Sequence, residues 1–584
     1  MRYSLFVKAL CFLCVLCGSA LPCAALDCEA FSIPHYDLHL QIDPEQHRLG
    51  VRGQITLRND TSDPQKIAVL QISSSLAWRF IKAGDAAVQF VTQPYASDID
   101  HTGALSEAIL TLPEAVAPHK TVDLKIAYEG VILLDATRLT RIGTPLQNAE
   151  NTDWDQIATN FTGLRGAGHV AWYPIATEVA NLSEDNSLFE VVMRWNAREA
   201  GATMQFTVES TPLPADSAPP TILCNGKKTS GTTRDGSSTS PQVQCSEADL
   251  ARSVPTLVIA HYGLIDRPGV TVYNLASHAL AAERYAEVTA QVAPLIRDWF
   301  GAPREKAQTA DLPNPEDDPF ESGALLLTPM TDAGSNSSGL AAAHQLTHAT
   351  FFSSRPWVQE GLAHFSQALY LEQGSGRKKA AIDYMQMHRS ALGKLEQSTA
   401  FGSGDESRRS LVNTTDEELY RSKAMCVWWM LRDMVGDSVL KKGIAAYRPE
   451  QDKEPSYMPR LIAGQTPRDL EWFFDDWIYR DRGLPDFKVE SAYSRKTISN
   501  AFLLTITVDN LGSAGAEVPI VVKFAGGEVS KRLEVRGKGK GTIRIDTPGS
   551  PQEITVNDGS VPESDTGNNQ FKIESSDQSH PLGN

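Results

Sequence analysis

His344-Gln345-Leu346-Thr347-His348, followed after Ser353-Ser354-Arg355-Pro356 by Gln359-Glu360-Gly361-Leu362-Ala363, decides how the middle of this chain folds. Two histidines four residues apart lie on one helical face, so both imidazoles can converge on one point. Arg355 precedes a proline and is pushed out of helical dihedrals, whereas Pro356 suits a helix start. The reading is one helix ending near Phe352 and a second beginning near Pro356. If the two run antiparallel, His348 lies about five residues before the corner and Glu360 about five after it, at the same height. His344, His348 and Glu360 are therefore the expected ligands of one zinc ion per chain, with water in the fourth position.

Gln345 stands where the H-E-x-x-H pattern carries the glutamate that takes a proton from zinc-held water. An amide hydrogen-bonds water but cannot accept its proton near neutral pH. Gln345 is thus the catalytic position with its chemistry changed, and turnover is expected to be slow or absent. Its near-isosteric replacement by glutamate is expected to raise the rate and leave folding intact. Gln359, beside Glu360, is expected to be dispensable for the metal.

His344 to His348 with Trp357-Val358-Gln359-Glu360-Gly361-Leu362-Ala363-His364-Phe365 resembles the zinc-binding helices of the aminopeptidase N family of gluzincin metallopeptidases. Tyr420-Arg421-Ser422-Lys423-Ala424 resembles the family's tyrosine-bearing stretch, and Asp469-Leu470-Glu471-Trp472 through Gly483-Leu484-Pro485 the end of its catalytic domain. Tyr36-Asp37-Leu38-His39-Leu40 resembles the start of its amino-terminal β-domain. The likeness implies a peptide or protein substrate, Tyr420 as hydrogen-bond donor to a developing oxyanion, and Gly323 and Ala324 as a strand edge along which a peptide lies. Three departures stand beside it. Glutamate is replaced by Gln345, the stretch between His348 and Glu360 is shorter than the family's, and Gly323-Ala324-Leu325-Leu326-Leu327 lacks the family's amine-holding carboxylate. Glu321, two residues earlier, reads as a solvated loop acid. His364 reads as an ordinary half-buried histidine.

Periodicity divides the rest. Alternation, as in Gln54-Ile55-Thr56-Leu57, points to strands up to about residue 265, with residues 166–174 breaking the pattern and facing the cleft. A helical period spans Ala279 to Phe300, a short apolar strand Gly323 to Thr328, helices dominate from Leu340 to about Asp481, and alternation returns at Phe487. The expected fold class is multidomain α+β: an N-terminal β-sandwich over 26–266, a mainly helical, thermolysin-like catalytic domain with a small sheet over 267–486, and an immunoglobulin-like β-domain over 487–557. The Ser-, Asp- and Gly-rich 558–584 reads as a disordered tail.

Arg2 and Lys8, then an apolar run, then small residues ending at Ala24-Ala25, read as a secretory signal over 1–25. Export to a periplasmic or extracellular space follows. Of eight cysteines, Cys224 and Cys245 flank a Gly/Ser/Thr-rich stretch and are expected to form a disulfide closing a hairpin loop. The net charge is −17, and no stretch is long and apolar enough for a mature membrane span. Such an acidic chain excludes nucleic acid as a partner. The resemblance implies an exported zinc metallopeptidase-like protein acting on peptides, its catalysis impaired at Gln345; two rivals stand beside it, a non-catalytic zinc-containing, peptide-binding pseudopeptidase and a metal-free scaffold. Oligomeric state is left open.

Overall fold

The computed structural model describes residues 27–573, apart from 185–186, 211–219, 229–241, 248–249, 251–252, 331–334, 377–380, 400–409, 415 and 499. The leader at 1–25 lies outside the described residues, as do 574–584. The architecture is multidomain α+β, with several sheets and a helical middle. Among the described residues no helix is long and apolar enough to cross a membrane.

Period-two patterning builds the N-terminal region. The strand Phe31–Asp43 buries Tyr36, Leu38, Leu40 and Ile42 while Asp37 and Gln41 face out. It pairs antiparallel with Arg48–Asn59 and parallel with Thr203–Ser210 in a seven-stranded sheet. A three-stranded sheet of Gln65–Ser73, Ala104–Val116 and Gln89–Ala96 contributes Leu70, Ile72 and Leu110 to the same core. Three expectations change here. Residues 166–174 do not face the cleft: Trp172 and Tyr173 are fully buried, and the Tyr36 hydroxyl donates to Pro174 O at 2.9 Å. The Ser187–Arg198 helix interrupts the strands, its apolar face covered through Val191 and Trp195. A boundary at 266/267 would cut a hairpin, because Gly263–Arg267 pairs with Val270–Asn274 inside the sheet of the next region.

Cys224 and Cys245 are bonded, with Cα atoms 5.9 Å apart. Cys224 ends the Thr221–Cys224 strand of a four-stranded sheet, whereas Cys245 lies in Gln242–Glu247, paired to Thr203–Ser210 in the seven-stranded sheet. The bond therefore joins two sheets and does not close a simple hairpin. The intervening residues 229–241 lie outside the described residues.

In the middle region a five-stranded sheet runs in the order Gly263–Arg267, Val270–Asn274, Ala307–Asp311, Leu325–Thr328, Phe320–Ser322. The helices Ala279–Phe300 and Ser335–Thr350 share an apolar cluster with this sheet, through Ala282, Ala286, Val272, Leu326, Ala342 and Leu346. Phe320–Ser322 is left at the edge. It forms a hairpin with Leu325–Thr328, and Gly323 adopts φ 58° in the two-residue turn, a left-handed conformation that costs glycine little.

The C-terminal region packs a three-stranded sheet on a four-stranded one, and its core is continuous with the helices through Trp477, Val518 and Val535. The disordered reading of 558–573 is wrong. Gln570–Lys572 adds a strand to Pro551–Val556, and Val561 is fully buried. Apolar content misleads because polar groups do the holding: Asn557 Nδ2 donates to Val561 O and Glu563 Oε2, at 2.8 and 2.7 Å. Ser564 N donates to Pro485 O, and Asn568 Nδ2 to Asp486 Oδ1, so this segment returns to the junction with the helical region.

Candidate metal centre and cleft

The Ser335–Thr350 helix carries both histidines, and the Pro356–Ser375 helix carries Glu360. Between them Arg355 is extended (φ −98°, ψ 115°) and Pro356 opens the second helix. This short connection brings Glu360 to 3.5 Å from both imidazoles: Oε2 from His344 Nε2 and Oε1 from His348 Nε2. The two Nε2 atoms are 3.0 Å apart.

A fourth side chain joins them. Glu321, on the edge strand, places Oε2 3.0 Å from His344 Nε2 and 3.8 Å from His348 Nε2. The solvated-acid reading of Glu321 is therefore overturned, and Glu321, His344 and His348 form a group able to hold a metal ion. Alternation along Phe320–Ser322 points Glu321 away from its two neighbours, but three residues are too few for that signal to be read in sequence. Burial opposes charge on His344, yet Glu321 and then Glu360 outweigh it and raise its pKa to about 10. Burial works against Glu360 too, but His348 and His344 hold it well below the usual carboxylate range. Without metal, the site is an imidazolium between two carboxylates. Two imidazole nitrogens and two carboxylates suit zinc.

Gln345 does not look into this cluster. It is 1% exposed and uses its whole amide. Tyr285 and Thr309 hydroxyls donate to Oε1 at 2.8 and 3.1 Å, while Nε2 donates to Gln308 O and Ala324 O at 2.7 and 3.2 Å. The residue ties the helix to the sheet. On these contacts Gln345→Glu is expected to be costly, because a carboxylate there would face two backbone carbonyl oxygens.

Other expected residues fall in different places. Gly323 lines the cleft, whereas Ala324 is 6% exposed and its carbonyl is occupied by Gln345 and by Gln308 N. The two form a turn, so the edge offered to a ligand is Phe320–Ser322. Tyr420 lines the same cleft beside Arg421, whose Nε lies 4.0 Å from Glu360. The Tyr420 phenol is pushed above its ordinary pKa chiefly by burial. His364 packs edge-on against His344, ring centres 4.9 Å apart, and touches His388 in turn. Gln359 is not a bystander: its Oε1 accepts from Ser353 N at 2.7 Å and its Nε2 meets His348 Nδ1. It therefore fixes the plane of the His348 ring and, by the end of the amide it presents, the tautomer.

The cleft encloses about 640 Å³ between Met193 and Asn196 of the Ser187–Arg198 helix on one wall and Glu321, Glu360 and Tyr420 on the other. That helix is a wall the sequence reading missed.

No protein-family profile and no curated protein matches the chain. Among solved structures, the chain is similar to an M1 zinc metallopeptidase from Deinococcus radiodurans, at 17% identity and TM-score 0.47 over 75% of this chain and 91% of that one. A glutamate-to-alanine variant from that organism, bound to a Tyr-Ser-Ala substrate, gives 17% identity and TM-score 0.48 over 78% of this chain and 96% of that one. A two-domain M1 zinc metallopeptidase variant bound to L-tryptophan gives 18% and 0.48 over the same shares, 78% and 96%.

Proposed function

We propose that this protein is an exported, zinc-containing, peptide-binding protein with the frame of a metallopeptidase and little or no peptide hydrolysis. The observation that carries the reading is that Gln345 is turned from the cleft, its amide saturated by four hydrogen bonds on the sheet side, while both carboxylates at the cleft, Glu321 and Glu360, are engaged with the histidines. No proton acceptor stands at that position, and the side chain is not free to turn towards the cleft. His344, His348 and Glu360 would hold the zinc, with Glu321 beside them. Bound zinc supplies Lewis-acid polarisation where a vertex is open, or a cross-link where none is. The ligand would lie along the Phe320–Ser322 edge, pairing its backbone with the strand while Tyr420 and Arg421 meet its polar groups. Export rests on the leader-like 1–25 and on the sheet-joining disulfide.

Elemental analysis and a peptide-library assay on one purified sample test this. About one zinc per chain, retention of peptides and negligible cleavage are expected. Absence of zinc that also fails to load on addition sinks the metal reading, and brisk cleavage sinks the non-catalytic one.

A further inference from the structure

We infer that Glu321 is a fourth protein ligand and that the zinc centre is closed, a cross-link between the edge strand and two helices with no vertex left for water or substrate. The inference rests on the zinc reading above and goes past it.

Bonds of about 2.0–2.1 Å set neighbouring ligand atoms of a tetrahedron about 3.3–3.4 Å apart. Four side chains define six such edges; three are seen between single atoms, His344–His348 at 3.0 Å, His344–Glu321 at 3.0 Å and His348–Glu321 at 3.8 Å, while Glu360 meets the imidazoles through different oxygens, Oε2 at 3.5 Å from His344 and Oε1 at 3.5 Å from His348. They scatter about the tetrahedral value. A carboxylate acting as a base on water at the fourth vertex would stand one hydrogen bond, about 2.6–3.2 Å, beyond that vertex. Glu321 Oε2 instead lies 3.0 Å from His344 Nε2 and 3.8 Å from His348 Nε2, the spacing of a neighbouring ligand atom.

Charge agrees with geometry. Two carboxylates and two neutral imidazoles neutralise a divalent ion, so the filled centre carries no net charge into a half-buried site. The strand that offers Glu321 is held from its other side by Val254 N, which donates to Ser322 Oγ at 2.8 Å. The hairpin turn at Gly323 and the Gln345 bond to Ala324 O fix its register. The vertex is thus supplied by a short strand secured on three sides.

Cobalt substitution reads the fourth vertex directly, since the visible spectrum of Co(II) responds to an added anion only where a coordination position is open. The full chain is expected to take one cobalt and to show a spectrum unchanged by azide. Glu321→Ala is expected to bind zinc more weakly by more than the ~10–100-fold typical of losing an outer partner, and to respond to azide. A natural-sequence cobalt spectrum that shifts with azide, at one metal per chain, overturns closure and leaves the zinc reading standing. Failure of the natural chain to take metal overturns both. Should Glu321→Ala not fold, Glu321→His keeps a ligand at the vertex, and an azide response in that variant counts against the inference.

Discussion

His344 and Gln345 are adjacent on one helix yet face regions of opposite chemistry. His344 enters a cluster of charges at the cleft, with carboxylates at 3.0 and 3.5 Å, while Gln345 enters a neutral network of hydroxyls and backbone carbonyls. The cleft face is balanced by charge and is completed by a cation. The sheet face is complete as it stands, every donor and acceptor of the amide being used. A helix therefore carries a binding motif and a structural tie in consecutive residues, and the letter between two histidines need not serve the site those histidines build.

Gln345→Glu should disturb the sheet face most. A buried carboxylate without a compensating partner is expected to cost roughly 3–5 kcal/mol of stability, read as a lowered midpoint in denaturant unfolding, with no gain in peptide cleavage. Retained stability with new hydrolysis would show that position 345 reaches the cleft after all. Removing the Cys224–Cys245 bond serves as a control outside both faces. It is expected to cost about 3 kcal/mol in the chain-entropy model and to leave zinc content unchanged.

Protons test the cleft face alone. The metal-free His344 pKa is raised to about 10, so at neutral pH zinc must expel one proton from it. His348 is shifted the other way, burial being the first cause, and adds none. Apparent zinc affinity is therefore expected to rise about tenfold per pH unit through neutrality, levelling off as pH approaches the raised pKa. A chelator-competition series that stays flat from pH 6 to about 8 would remove the two carboxylates' hold on His344.

Because the Gln359 amide donates to Nδ1 and so favours the proton on the metal-facing Nε2, Gln359→Glu, which accepts from Nδ1–H, is expected to raise zinc affinity by ~10-fold or more, and Gln359→Ala to change it less. Smallest is Tyr285→Phe, which removes one of two donors to the Gln345 oxygen. A loss of about 1 kcal/mol with unaltered zinc affinity is expected, and any drop in affinity would couple the two faces.

The histidine pair is legible because helical spacing alone puts both rings on one face, and Glu360 because Arg355-Pro356 forces a break where the chain can turn. Glu321 is not, since its strand spans only Phe320–Ser322 and its partners lie more than twenty residues away. Periodicity assigns Gln345 to a face but cannot name Tyr285 or Thr309 as the hydroxyls that fill it. The Ser187–Arg198 helix hides among alternating strands, since a single twelve-residue helix is easily absorbed into a strand-rich reading. Residues 558–573 escape a reading by composition, which registers apolar burial, whereas this segment is secured by its amides and carboxylates.

That last segment changes how the molecule should come apart. By returning to Pro485 and Asp486, the end of the described chain buckles the C-terminal sandwich to the helices at the very junction where a linker would otherwise flex. With Trp477 donating to Gly515 O across the same junction, the two regions behave as one mechanical body, and heat should melt them in a single step.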